Sequence, residues 1–175
     1  LKLFKKNGIQ KGMVVMVESK GSMSNYIAGG EQMVIEVLKE LIGSQGCIIA
    51  PSFTFDTLDP ATDGKYHYEY SLWEEVRNSM IGYDKKISQS NDRFANQLLR
   101  NPESERTVHP VYSFVMLGRC SKNELKQGMN FPISFHDVLN PLTEHKSCLI
   151  LSDGEIAKSC FFHALAQQSG QEDVF

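Results

Sequence analysis

A histidine, an arginine and several hydroxyl side chains lie close together in the segment SERTVHPVYSF, residues 104–114. His109 precedes Pro110, which favours an extended backbone and places the imidazole at the entrance of the apolar run that follows. An unperturbed imidazole titrates near neutral pH, so it can take a proton from an amine or a water. Arg106 could bind a phosphate or a carboxylate through two parallel hydrogen bonds. The residues alone leave a second interpretation open, namely a hydrogen-bonded histidine beside a solvated arginine.

A thiol and an imidazole are three residues apart in IAKSCFFHALAQQ, residues 156–168, where the pattern predicts a helix. Cys160 and His163 would then lie side by side on adjacent turns. This spacing is compatible with a Cys–His nucleophile. It is also that of a structural cysteine beside a partly buried histidine, and the residues alone favour this second interpretation. A metal site would need two more ligands, and no nearby spacing supplies them, so we expect no bound metal.

A loop rich in Gly and Ser, KGSMSNYIAGG at 20–30, follows an apolar run and precedes a predicted helix. Backbone N–H groups at a helix start favour anions, and glycine lets a ligand approach the backbone closely. A phosphate or pantetheine group could therefore lie at Gly29 and Gly30. The pattern is neither G-x-G-x-x-G nor a Walker loop. The alternative is a Gly-Gly pair that only turns the chain.

The elements that must position these residues alternate between strands and helices. Strands are predicted at 12–19, 46–53, 111–118 and 147–152, and helices at 31–43, 71–80, 91–100, 121–125 and 156–168. The first strand, the Gly-rich loop, the first helix and the second strand form a βαβ unit, which predicts a parallel strand pair. Ser-x-x-Glu spacing beginning at Ser71 and Ser121 predicts capped helix starts. We predict one α/β domain over residues 1–175.

Length, composition and charge exclude several classes of protein. A chain of 175 residues with 41% hydrophobic and 22% charged side chains suits one globular domain. A net charge of −3 argues against nucleic-acid binding, and no apolar run is long enough to span a bilayer. Without a visible signal peptide, and with four cysteines outside any CxxC pair, we expect a cytoplasmic protein with reduced thiols.

The order of segments resembles that of the aminoglycoside 3-N-acetyltransferase family. The matching segments are GIQKGMVVMVES (8–19), AGG (28–30), GCIIAPSFT (46–54), RTVHPVYSF (106–114), NPL (140–142), SCLILSDG (147–154) and CFFHALA (160–166). They are collinear with the family's strand ending in HSS, its Gly-Gly loop, its R-S-x-H-P-x-x-S-F segment and its T-x-x-H-x-x-E motif. The resemblance extends over essentially the whole chain.

This resemblance implies a three-layer α/β/α sandwich around a mixed, largely parallel sheet. It also implies acetyl-CoA as the acetyl donor and an amino group of an aminoglycoside or amino sugar as the acceptor. By the same implication His109, Cys160 and His163 line the reaction site, with His109 removing the proton of the acceptor ammonium. The positions that match the family's cofactor-contacting or neighbouring residues are Ser19, Ser22, Gly29, Gly30, Arg106 and Ser113.

Several positions depart from the family pattern. Glu18 replaces the histidine of HSS, Cys160 replaces the threonine, and Ala166 replaces the closing glutamate. Because alanine cannot orient an imidazole, we consider Glu18 and Asp137 as substitutes for the missing carboxylate. Arg93, just before the FANQLL helix, could fill space that a cofactor needs.

Two functions from different classes are therefore carried forward. The first is an acetyl-CoA-dependent N-acetyltransferase with a small-molecule amine substrate, in drug resistance or in amino-sugar acetylation. The second is a catalytically degenerate family member that acts as a binding or assembly module. A generic α/β domain with chance matches is a third reading. Whether the protein forms homo-oligomers stays open. Extension of the domain at either end also stays open, because the sequence begins at Leu1 and stops at Phe175.

Overall fold

The computed structural model describes residues 1–62, 67–121, 136–152 and 155–170. The helices are α1 (Lys2–Lys6), α2 (Gly30–Ile42), α3 (Trp73–Ser79), α4 (Arg93–Leu99), α5 (His136–Glu144) and α6 (Cys160–Gln168). The strands are β1 (Val14–Ser19), β2 (Cys47–Pro51), β3 (Glu105–Arg106), β4 (Phe114–Gly118) and β5 (Ser147–Ser152). Short 3-10 turns connect several of these elements. No helix in the described ranges has the length and apolar character that a membrane span requires.

The strands form one mixed sheet in the order β3-β4-β2-β1-β5. The predicted βαβ unit is confirmed, because β1 pairs with β2 in parallel, and β5 runs parallel to β1 on its other side. β4 runs antiparallel to β2 and to β3. Consequently the carboxyl ends of β1, β2 and β5 lie at the same edge of the sheet as the start of β4. Register shows this directly, since Pro51 pairs with Phe114 and Ser19 pairs with Ser152.

Helices cover both faces of the sheet, which confirms the three-layer prediction. Side chains alternate between the two faces along a strand, so each strand contributes to two cores. The first core joins strand residues to α2 and α4 and includes Val15, Val17, Leu38, Ile48 and Phe94. The second joins the opposite strand positions to α5 and α6 and includes Val14, Met16, Ile49, Met116, Leu139 and Ala164. Burying each of the larger side chains stabilises the fold by about 2 kcal/mol relative to exposure.

The helix α2 fixes the Gly-rich loop against the first core. Val34, Leu38 and Leu41 recur at helical spacing and are buried. Gly43 ends the helix with φ 65°, a left-handed backbone that favours glycine. The prediction of this helix is confirmed to within one residue at each end.

Other predicted elements differ in detail from the structure. The capped start predicted at Ser71 is wrong, because a 3-10 turn spans Tyr70–Leu72 and α3 begins at Trp73 without a side-chain cap. The helix predicted over 156–168 is split into a 3-10 turn at Ile156–Lys158 and α6. The helix predicted at 121–125 lies outside the described residues beyond Ser121. The short strand β3 and the helix α5, which contains Pro141, were not predicted.

Candidate active site

A cleft of about 340 Å³ opens where the parallel strands end. Its apolar wall comes from the ends of β2 and β5 and the segment after β2; these residues are Pro51, Phe53, Phe55 and Leu151. Its polar wall combines Glu18 and Ser19 from the end of β1 with Asp92 and Cys160 from the starts of two helices. The sheet edge thus brings together groups that are as much as 142 positions apart in the sequence.

Glu18 connects β1 to the start of α6. Its Oε1 accepts a hydrogen bond of 2.7 Å from Ser159 Oγ, and its Oε2 accepts one of 3.3 Å from the backbone N–H of Cys160. Burial raises the pKa of this carboxyl, while the hydrogen bonds and the nearby charge of His163 oppose the rise. Glu18 therefore supplies a negative charge between the cleft and the imidazole-bearing helix. This is one of the two carboxylates that the sequence suggested in place of the family's glutamate.

Cys160 and His163 lie on the first turns of α6, as their spacing predicted, but of the two only Cys160 is among the residues that line the cleft. Cys160 is 8% exposed and lines the cleft. Burial, with the negative charge of Glu18 beside it, raises the pKa of its thiol far above the ordinary value. The thiol is consequently protonated at neutral pH, which argues against a nucleophilic role. Ala166, one turn beyond His163, is buried. The side chain of Asp137, the other candidate carboxylate, lies outside the described part of the chain.

Asp92 is a cleft residue that the sequence reasoning did not assign. Its Oδ1 accepts the N–H of Ala95 at 3.0 Å and so caps α4, while its Oδ2 accepts the N–H of Ser19 at 3.0 Å. Burial raises its pKa to about 6, and the negative charge of Glu18 contributes to the rise. An Asp directly before the first residue of a helix, as Asp92 is before Arg93 of α4, is a recognisable N-cap signal, but the contact with Ser19 has no local signature in the sequence.

His109 lies in the loop before β4 and does not line the cleft. It is 7% exposed. Its Nδ1 accepts hydrogen bonds from the backbone N–H groups of Val111 at 3.2 Å and Tyr112 at 2.9 Å. In the neutral ring these donors place the proton on Nε2, and burial lowers the pKa. The predicted role of His109 as proton acceptor does not fit this arrangement, because its lone pair already receives two backbone donors.

Arg106 holds the loop of His109 in place from within the protein. It is 5% exposed. Its Nε donates to Ser113 Oγ at 2.9 Å, and one terminal nitrogen donates to Ser52 O at 2.7 Å and Thr54 Oγ1 at 2.6 Å. The other terminal nitrogen donates to Ser88 O. Ser113 Oγ itself donates to Ser52 O at 2.7 Å. Arg106 and Ser113 therefore join three segments of the chain, and the structure places neither in the cleft.

Ser19, at the end of β1 directly before the Gly-rich loop, lines the cleft, while the candidate residues within the loop shape the chain. Ser22 Oγ caps a 3-10 turn by accepting the N–H of Ser24. Gly29 and Gly30 have φ values of 85° and 54°. A Cβ at Gly30 would lie 2.3 Å from Ser24 Oγ, so this position needs glycine. The turn they form leads directly into α2.

Comparisons with known proteins identify the family of the chain. Residues 16–169 match the sequence model of the aminoglycoside 3-N-acetyltransferase family. The chain belongs to that family, as its order of segments indicated.

Relatives share the fold over most of this chain. The SPbeta prophage-derived aminoglycoside N(3')-acetyltransferase-like protein YokD of Bacillus subtilis is 29% identical over 160 residues, covering 89% of this chain and 59% of that protein. Its crystal structure matches with a TM-score of 0.80 at 27% identity, covering 91% of this chain and 65% of that one. Aminoglycoside N(3)-acetyltransferase IX of Micromonospora chalcea is 30% identical over 63% of this chain and 40% of its own length. This chain thus spans less than two thirds of these relatives.

A more distant structure shows the same fold. The AAC-IIIb structure described as a binary complex with CoASH has a TM-score of 0.75 and 16% identity, covering 94% of this chain and 61% of that one. At this identity the likeness concerns the fold alone.

Proposed function

We propose that this chain forms part of an acetyl-CoA-dependent N-acetyltransferase that acts on an amino group of an aminoglycoside or amino sugar. Family membership supports the reaction class. The CoASH complex of AAC-IIIb and the gentamicin complex of AAC(3)-IVa indicate the donor and acceptor chemistry in structural relatives. The observation that carries the proposal is the cleft at the strand ends, where Glu18 lies beside the start of the helix that carries His163.

The reaction needs a base, because an alkylamine is protonated and not nucleophilic at neutral pH. In the proposed step His163 takes a proton from the acceptor ammonium. The freed amine attacks the thioester carbonyl, the C–N bond forms, and the C–S bond breaks. The departing CoA thiolate then recovers a proton, so that an amide and CoA thiol are the products. Acetyl-CoA supplies the activated acyl group when it is bound.

Glu18 supports this step through its charge. A carboxylate near an imidazole stabilises the imidazolium that forms when the ring accepts a proton. In the family motif a glutamate closes T-x-x-H-x-x-E, but Ala166 occupies that position here. We assign Glu18 as the carboxylate that acts on His163 in its place. Because Glu18 reaches α6 from the neighbouring strand, the loss of the motif glutamate is compatible with retained activity.

His109 is assigned a different part in the proposal. With Nδ1 accepting two backbone N–H groups, its Nε2–H is the group that can meet a ligand, as a hydrogen-bond donor. Arg106 and Ser113 act as positioning residues for this loop. Ser19 is the cofactor candidate at the cleft, and Ser22, Gly29 and Gly30 shape the turn behind it.

A catalytically degenerate binding module remains the second candidate, and one observation favours it. Glu18 is already engaged by Ser159 Oγ and the N–H of Cys160, which is what a purely structural helix-capping carboxylate would show. In that case the cleft could bind a CoA ester without transferring its acyl group.

The test measures amine-dependent release of CoA thiol with acetyl-CoA and a panel of aminoglycosides and amino sugars. We expect turnover by the 175-residue chain, a loss of about 100-fold or more in His163→Ala, and a loss of about tenfold in Glu18→Gln with an altered pH profile. His67→Ala, which removes an exposed imidazole, is the matched control and should leave the rate unchanged.

Three results would decide against parts of the proposal. Absence of turnover with every amine, combined with a rise in Tm on adding acetyl-CoA, would establish the binding module. Absence of both would reject the two candidates together. Loss of turnover in His109→Ala but not in His163→Ala would move the base to the loop before β4.

A further inference from the structure

Ser159, immediately before α6, is a hydroxyl residue that is 1% exposed. Its Oγ donates to Glu18 Oε1 at 2.7 Å and accepts the backbone N–H of Phe161 at 3.1 Å. Its carbonyl oxygen accepts the backbone N–H of His163 at 3.1 Å. One residue therefore contacts both the carboxylate at the end of β1 and the helical turn that carries the imidazole.

The capping bond of Ser159 fixes the direction of its hydroxyl. A serine hydroxyl carries a single hydrogen and two lone pairs. A lone pair of Oγ receives the N–H of Phe161, as the side chain of an N-cap residue does. The hydrogen is then available to Glu18, and the distance of 2.7 Å is that of a hydrogen bond to a charged acceptor. The cap thus holds the rotamer that presents the donor to the carboxylate.

The hydrogen bond from Ser159 favours the ionised form of Glu18. Burial raises the pKa of this carboxyl, and the hydroxyl of Ser159 is the largest of the influences that lower it. Because Oε2 accepts the N–H of Cys160 at 3.3 Å, each carboxyl oxygen faces a donor. A proton on either oxygen would displace one of these hydrogen bonds. Loss of the Ser159 donor leaves the effect of burial less opposed, so it should raise the pKa of Glu18.

Other titratable groups face Glu18 from the neighbouring elements. From α6, the charge of His163 favours the carboxylate, and Cys160 contributes a thiol that burial keeps protonated. Asp92, before α4, is close enough for the negative charge of Glu18 to contribute to its raised pKa. The remaining charged residues that line the same cleft are Lys20, Glu155 and Lys158, the last two of which form an ion pair at 3.1 Å. Because the hydroxyl of Ser159 does not titrate near neutral pH, its influence on Glu18 stays constant where the charges of its neighbours change.

We propose that Ser159 is a positioning residue for acetyl transfer, which holds the Glu18 carboxylate against the turn of α6 that carries His163. This inference rests on the proposed function, in which Glu18 acts on His163. It adds that the carboxylate on β1 depends on a hydroxyl one residue before the position of the family's T-x-x-H-x-x-E motif. Ser159 thus makes the carboxylate of β1 usable where Ala166 replaces the motif glutamate.

The experiment measures the pH dependence of kcat/KM for amine-dependent CoA release by the 175-residue chain. The test variant is Ser159→Gly, because glycine removes the hydroxyl but is tolerated at an N-cap. We expect kcat/KM to fall about tenfold more at pH 6 than at pH 9, since the ionised form of Glu18 loses a donor. Ser159→Thr, which keeps a hydroxyl, should restore most of the profile. The matched control, Ser169→Gly, removes an exposed hydroxyl directly after α6 and should leave the profile unchanged.

A comparison of double variants tests whether Ser159 acts through Glu18. In the Glu18→Gln background, Ser159→Gly should change kcat/KM by the same factor at both pH values, because no carboxylate remains to respond. A second measurement needs no turnover. It is a carbon-13 NMR titration of the glutamate carboxyls, in which the Glu18 signal is identified by its absence from Glu18→Gln. The titration midpoint of Glu18 should move to higher pH in Ser159→Gly and return in Ser159→Thr.

Each other outcome has a defined meaning. An equal loss at both pH values in Ser159→Gly, with the Glu18 midpoint unmoved, would make Ser159 a helix cap only and overturn the inference. A pH-dependent loss that persists in the Glu18→Gln background would also overturn it. So would a Glu18 midpoint that stays as high in Ser159→Thr as in Ser159→Gly. If the wild-type chain shows no turnover, but the midpoint moves in Ser159→Gly and returns in Ser159→Thr, the transferase is rejected while the assigned hold of Ser159 on Glu18 is supported.

Discussion

The loop before β4 and the junction of β1 with α6 meet at the same edge of the sheet, and both contain imidazole, hydroxyl and charged groups. Arg106, at the end of β3, and the Nδ1 of His109 in the loop are directed into the protein, where backbone and hydroxyl groups satisfy them. At the junction, Glu18 and Cys160 border open space. The two regions contain similar residue types. They differ in that the polar atoms of the loop are bonded inside the protein, whereas those of the junction face the cleft.

This comparison separates two uses of polar side chains. A buried cation with several neutral acceptors fixes the backbone around it, because each lost hydrogen bond would leave a desolvated group unpaired. A carboxylate at a cleft, with part of its surface open, can respond to a ligand or to a nearby proton. Substitutions in the loop should therefore act mainly on stability, whereas substitutions at the junction should act on pH dependence and on rate.

The largest expected effect concerns Arg106. Arg106→Ala removes donors to Ser52 O, Ser88 O and Thr54 Oγ1, so we expect the free energy of unfolding to fall by about 3–4 kcal/mol. Urea unfolding followed by circular dichroism measures this loss. Arg119→Ala, at an exposed arginine, is the control and should change stability by less than about 0.5 kcal/mol. If Arg106→Ala stays as stable as the wild type but no longer binds CoA, the loop before β4 is a ligand-binding region. The contrast between this loop and the junction of β1 with α6 would then be wrong.

A second effect, of about 3 kcal/mol, should appear in the pH dependence of stability through Asp92, which joins the start of α4 to the end of β1. The folded-state pKa of Asp92, about 6, lies above its ordinary value of 3.8. Its contribution to stability is therefore complete below pH 3.8 and is lost as the pH rises through about 6. The raised pKa of Glu18 acts in the same direction.

Asp92→Ser isolates this effect, because serine keeps an acceptor for the start of α4 but does not titrate. The difference in unfolding free energy between the wild-type chain and this variant should shift against the wild type between pH 4 and pH 7. A difference that stays constant, or that shifts in favour of the wild type, contradicts the assigned pKa direction.

The smallest expected effect concerns the thiol at the junction. Because burial keeps Cys160 protonated, Cys160→Ser should retain the acetyl-transfer rate to within about threefold. Iodoacetamide should likewise alkylate the folded chain slowly at this position. Loss of turnover in Cys160→Ser, with rapid alkylation in the wild-type chain, would show that Cys160 is a nucleophile. The junction of β1 with α6 would then supply a catalytic group.

The regular part of the fold was predictable because its signals are local. The runs that became β1, β2, β4 and β5 are apolar and bounded by turn residues, and the helical spacing of α2 is visible within its own sequence. The strand β3 is two residues long, which is too short to show the alternation of apolar and polar side chains that marks a strand. The helix α5 contains Pro141, a residue that argues against a helix interior when only the sequence is read.

The candidate site was predictable only in part, because its contacts are not local. The family motifs led to His109, Cys160 and His163, and the departure at Glu18 indicated a substitute carboxylate. The bond from Ser19 to Asp92 joins residues 73 positions apart, and those from Arg106 reach residues more than 50 positions away. The order of the strands in the sheet brings such distant hydrogen-bond partners together. The inward direction of His109 Nδ1 depends on a turn of three residues, which motif matching does not resolve.

The antiparallel pairing of β3 with β4 has a consequence for how this protein could be altered. The two strands and the residues between them form a local hairpin, in which Glu105 pairs with Met116 and Arg106 pairs with Val115. Insertions or deletions in its tip would be absorbed inside the hairpin, because no crossover helix links its strands. The segment from Thr107 to Tyr112 could thus be exchanged for the corresponding tips of relatives without changing the register of the parallel strands.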